Sequence, residues 1–71
     1  MRKNAKLPKV LGKKIKRIRK QAKLTQEHVA EKVGISTNYM GFIEQGRYAP
    51  SLEVVEKIAK VLKVKVSELF P

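Results

Sequence analysis

Three hydroxyl residues, Thr25, Ser36 and Ser51, each stand ahead of apolar residues at helical spacing, and two glycines, Gly34 and Gly46, close the first two of those runs. A hydroxyl oxygen just before a helix accepts a backbone N–H of the first turn, and glycine tolerates the left-handed conformation just past the last. This punctuation restricts the chain to short helices with fixed ends. Val29, Ala30 and Val33 face inward from one, Met40 and Ile43 from the next, and Leu52, Val55, Ile58, Ala59 and Leu62 from the one after. Upstream, Leu11, Ile15, Ile18 and Ala22 recur at spacings of four, three and four and predict a helix from Lys9. Downstream, Ser67 to Phe70 predict a last short turn that tucks Leu69 and Phe70 onto the core. No alternating pattern runs longer than Val64-Lys65-Val66, too short for a sheet. The expected fold is all-α, a compact bundle of five short helices over residues 9–71, behind a flexible basic arm of residues 1–8 that ends at Pro8.

A hydrophobic content of 42% suffices for one core in 71 residues. The absence of cysteine excludes disulfides, thiolate zinc sites and a cysteine nucleophile. His28, the one histidine, reads as a surface residue on the outward side of the second helix. The six acids are all glutamates, and no two converge with a base or a metal ligand. The expectation is a non-enzyme with no cofactor and no metal. No apolar run approaches the roughly 20 residues that span a bilayer, and no apolar signal region follows the basic N-terminus. A cytoplasmic, nucleoid-associated location is expected.

Charge placement is more informative than the net value of +11. Residues 1–23 hold 11 lysines and arginines and no acid, whereas in residues 24–71 six basic residues balance six glutamates. All the excess lies in the first third, which points to a polyanionic partner. Charge alone does not separate DNA, RNA and an anionic membrane.

The segment Gln26 to Ile43 narrows the choice. Two short helices meet at Val33-Gly34-Ile35-Ser36. A crossing at roughly 90–120° needs a glycine in the turn and small or apolar residues on the facing sides. Ala30 is the small residue, Gly34 the turn, and Val29, Val33, Ile35, Met40 and Ile43 the shared core. The pattern resembles the helix-turn-helix of the lambda repressor and Cro family, also called Xre. The likeness extends through Ile18-Arg19-Lys20, Leu24-Thr25-Gln26-Glu27, Tyr39-Met40, Ile43-Glu44-Gln45-Gly46 and Pro50-Ser51-Leu52-Glu53, about residues 9–70.

The resemblance implies sequence-specific binding of double-stranded DNA by a repressor-like transcriptional regulator, with the third helix in the major groove. Thr37 and Asn38, its first exposed side chains, would meet base edges, asparagine pairing bidentately with adenine. Phe42, one turn on, replaces the polar residue usual in the family. It fits either contact with a thymine methyl or an extension of the core, and its spacing from Met40 and Ile43 favours the core. Gln26 and Ser36 would hold phosphate at helix N-termini, with Gln45, Arg47 and Tyr48 gripping the other side of the site. Arg19 and Glu44 would form a buried structural ion pair. Lys63 stands where the family often has glycine, and Lys65 replaces its usual cap. A homodimer on paired half-sites fits the family. The same fold also serves as an antitoxin or bridging module that holds a protein partner, a toxin or a transcription factor. A membrane role for the first helix is disfavoured, since its apolar face lacks Trp and Phe and is needed by the core.

Overall fold

Every cap read from the sequence is made in the computed structural model, which describes residues 6–70. Thr25 Oγ1 accepts His28 N–H at 3.0 Å, Ser36 Oγ accepts Tyr39 N–H at 2.9 Å, and Ser51 Oγ accepts Val54 N–H at 3.2 Å. Gly34 and Gly46 end their helices at φ of +89° and +78°. The helices are α1 (Lys6–Gln21), α2 (Gln26–Val33), α3 (Thr37–Gln45) and α4 (Leu52–Leu62). There are four α-helices among the described residues, not five. The expected last helix is a single 3-10 turn, Val66–Leu69. Four residues are too few for an i to i+4 ladder, so side chains hold this turn in place. The Glu68 carboxylate accepts Lys65 N–H at 3.0 Å, and Lys14 Nζ donates to the Phe70 carbonyl at 3.2 Å.

Two boundaries and one burial differ from the sequence reading. First, α1 begins at Lys6 and takes in Pro8. Proline in a first turn lacks an N–H that would have had no intrahelical acceptor, so Pro8 starts the helix well instead of ending an arm. The rest of the expected arm, residues 1–5, lies outside the described residues. Second, Ala22 is exposed and beyond the helix end. The chain reverses at Lys23, φ +61°, and Leu24 N–H returns to the Arg19 carbonyl at 3.1 Å. Third, Leu52 is 61% exposed, because it is the first residue of α4 and projects past the packed length of the bundle.

One core joins all elements. Ile15 of α1, Val29 of α2, Met40 and Ile43 of α3, Ile58 of α4 and Leu69 of the turn are all at 0% exposure. Close approach of α1 to α3 depends on Gly12, which the sequence reading did not single out. A Cβ there would lie 2.7 Å from the Glu44 carbonyl oxygen and closer still to that of Ile43. Because both obstacles are backbone, no rotamer change relieves them.

Lys63 takes the left-handed conformation that the sequence flagged, with φ +61°. Its N–H and that of Val64 close the end of α4 on the Lys60 and Ala59 carbonyls, at 3.2 and 3.0 Å. A left-handed residue carrying a Cβ costs about 1–2 kcal/mol. Lys63→Gly should therefore stabilise the domain by about 1 kcal/mol, raising the melting temperature by about 4–8 °C in a calorimetric scan. Gly12→Ala should act the other way by about 3 kcal/mol, since it overpacks helix against backbone.

Candidate nucleic-acid interface

The turn after α2 decides which side chains of α3 face outward. Gly34 and Ile35 both send their N–H groups to the Ala30 carbonyl, at 2.8 and 3.0 Å, and Ser36 starts the next helix. Met40, Ile43 and Glu44 are then buried. Thr37, Asn38 and Gln45 are exposed, and Phe42 is half-buried. The two residues expected to read bases thus stand free in the first turn of α3. Ser36 is also exposed, its oxygen engaged in capping.

Beneath them lies a saturated polar network. Arg19 and Glu44 are 7% and 5% exposed. Arg19 Nε donates to Glu44 Oε2 at 2.6 Å and Nη2 to Oε1 at 3.0 Å. Arg19 Nη1 donates to the Leu24 carbonyl at 2.8 Å. Gln26 Nε2 completes the carboxylate, donating to Oε1 at 2.9 Å. The ion pair expected from the resemblance is formed, and Gln26 is a third member that the sequence did not suggest. One carboxylate therefore ties α1, α2 and α3 together, and the bond fixes the Gln26 side chain at the head of α2.

Gln26 opens onto a cleft lined by Lys9, Lys13 and Lys16 of α1 and by Gly41, Glu44 and Gln45 of α3. Gln26 and Gln45, expected on opposite sides of the site, share this one depression. The three lysines were counted in the sequence but not placed. Their spacing of four and three puts them on one helix face, which was the available signal.

A second feature was missed altogether. Phe42 and Tyr48 pack edge to face with centroids 5.5 Å apart, and Tyr39 lies 6.1 Å from Tyr48. The Arg47 guanidinium carbon sits 4.7 Å from the Phe42 ring centroid. Gly46 produces this arrangement, because its left-handed turn returns Arg47 N–H to the Phe42 carbonyl at 2.9 Å. Both of the roles considered for Phe42 left out these neighbours. Arg47 and Tyr48 remain exposed. His28 is exposed, and no three potential metal ligands cluster among the described residues. No helix among them is long and apolar enough to cross a membrane.

The helix-turn-helix family model matches residues 15–69. The chain belongs to the lambda repressor/Cro (Xre) helix-turn-helix family. Within that family it is 46% identical over 59 residues to the immunity repressor protein of Bacillus phage phi105, covering 83% of this chain but only 41% of that repressor. The restriction-modification controller protein C.AhdI of Aeromonas hydrophila superposes with a TM-score of 0.85 at 30% identity, covering 89% of this chain and 96% of that one. The Bacillus subtilis biofilm regulator SinR, solved in complex with DNA, has a TM-score of 0.78 at 35% identity over 83% of this chain and 95% of that one.

Removing one partner of a buried ion pair typically costs about 3–5 kcal/mol, because the stranded charge remains desolvated. Glu44→Ala, which leaves Arg19 and Gln26 without their acceptor, should destabilise by that amount and unfold most of the domain at 37 °C. Circular dichroism melts check this. A variant that melts with the parent protein would show that the network carries no stability.

Proposed function

We propose that this chain binds duplex DNA sequence-specifically as a repressor-type transcriptional regulator, with α3 lying in the major groove. The observation that carries the reading is the exposure of Thr37 and Asn38 in the first turn of α3, directly after an ordered helix-turn-helix and beside a lysine-lined cleft. Asparagine offers one donor and one acceptor in the geometry of an adenine major-groove edge, and threonine offers a hydroxyl and a methyl. Phe42 is the next side chain along this face. SinR, a relative of similar fold, is solved in complex with DNA, which supports DNA as the partner.

Phosphate contacts surround this face. Gln26 and Ser36 stand at the starts of α2 and α3, where unpaired N–H groups favour an anion. Gln45, Arg47 and Tyr48 follow α3 and are exposed. Lys9, Lys13 and Lys16 add three positive charges along the same cleft. These contacts set register and strength, and Thr37 and Asn38 set sequence choice.

The two roles separate in one experiment. A duplex selected from a random pool is titrated with parent protein and variants across a range of salt. Asn38→Ala should lose about 1–3 kcal/mol on the selected site while keeping the salt slope and the binding to unrelated duplex. Lys13→Gln with Lys16→Gln should weaken binding to all sequences and reduce the log–log salt slope by about 1.8, at 0.9 per phosphate released. A parent protein that enriches no sequence, or whose affinity ignores salt, would overturn the proposal.

A further inference from the structure

Arg47 is an exposed side chain that forms no ion pair and no side-chain hydrogen bond among the described residues. Its one specific contact is the face of Phe42, 4.7 Å from the ring centroid. The contact is reinforced from two sides. The backbone brings Arg47 back over the last turn of α3 through its N–H bond to Phe42. Tyr48 packs against the Phe42 ring at 68°, and Tyr39 packs in turn on Tyr48, so the ring has aromatic neighbours that limit its movement. Phe42 lies four residues after Asn38, on the same side of the helix.

A guanidinium stacked on an aromatic face keeps its N–H donors available at the rim, and a planar donor set suits a phosphate. A stacked side chain has also lost much of its rotamer freedom before any ligand arrives, so less ordering remains on binding. We propose that Phe42 is a positioning residue. It holds the Arg47 guanidinium beside the outer face of α3, ready to meet a backbone phosphate at the edge of the groove. This rests on the DNA-binding reading above and gives Phe42 a role through Arg47 rather than through a base. Tyr48 and Tyr39 serve the same end as a brace for the ring.

A double-mutant cycle tests it, using the full chain and a duplex selected by the parent protein. Arg47→Ala should weaken binding about tenfold and lower the log–log salt slope by about 0.9. Phe42→Leu keeps an apolar side chain but removes the ring, and it should weaken binding about threefold in the parent background. In the Arg47→Ala background the same change should have almost no effect, and Phe42→Tyr should bind like the parent. In the free protein, the ring current should move the Arg47 side-chain protons upfield, and Phe42→Leu should abolish that shift. This readout does not depend on DNA.

Equal losses from Phe42→Leu in both backgrounds would overturn the inference. So would a loss in the parent that disappears when the thymines of the site are replaced by uracil, since Phe42 would then be reading methyl groups. If the parent protein selects no duplex at all, the DNA-binding reading fails first and this inference falls with it. Normal selection with additive variants removes the positioning role alone.

Discussion

The Glu44 carboxylate is the point on which the arrangement of the other elements depends. It accepts hydrogen bonds from Arg19 on α1 and Gln26 on α2 while it sits on α3. A buried carboxylate is tolerated only when its acceptor capacity is filled by well-placed donors. Here three bonds fill it, and no buried side-chain polar atom among the described residues lacks a partner. The same bond that satisfies the carboxylate also directs Gln26 to the mouth of the cleft. Stability and the placement of the Gln26 side chain are therefore set by one group of atoms.

Above this network the domain separates two kinds of work. Thr37 and Asn38, with their hydrogen-bonding side chains exposed, stand in the first turn of α3. Positive charge is concentrated on α1 and at Arg47. This division suits a protein that must find DNA quickly and then discriminate among sequences. Long-range attraction speeds encounter whatever the sequence, whereas short hydrogen bonds act only after docking. The excess charge of α1 has little opposing acid nearby in sequence, so repulsion among its lysines is relieved mainly by solvent and, on binding, by phosphate.

Features written into neighbouring residues were legible from the sequence. Thr25, Ser36 and Ser51 cap because a hydroxyl needs only the N–H three residues on. Gly34 and Gly46 stop helices for reasons internal to their own backbone. Periodicity located the core, but it could not tell that Ala22 and Leu52 lie past the packed length of their helices, where an apolar residue continues the stripe without a neighbour to cover it. Pro8 is ambiguous in the sequence because proline's effect changes sign between the first turn and the interior of a helix. The Arg19–Glu44 pair came from family likeness, and its third member, Gln26, is separated from Glu44 by 18 residues and carries no local signal. The lysine cleft and the Phe42–Arg47 stack exist only once α1 crosses α3 and the chain doubles back at Gly46.

The backbone contact at Gly12 has a mechanical consequence. With no side chain between α1 and the carbonyls of Ile43 and Glu44, there is no soft layer to compress and nothing to slide. Contact this close resists movement of one helix against the other, and so holds the lysine face of α1 in a set relation to the exposed first turn of α3. A body of this kind cannot mould itself to an ill-fitting duplex. The misfit has to be taken up by the DNA, whose bending and groove width then become part of what is selected.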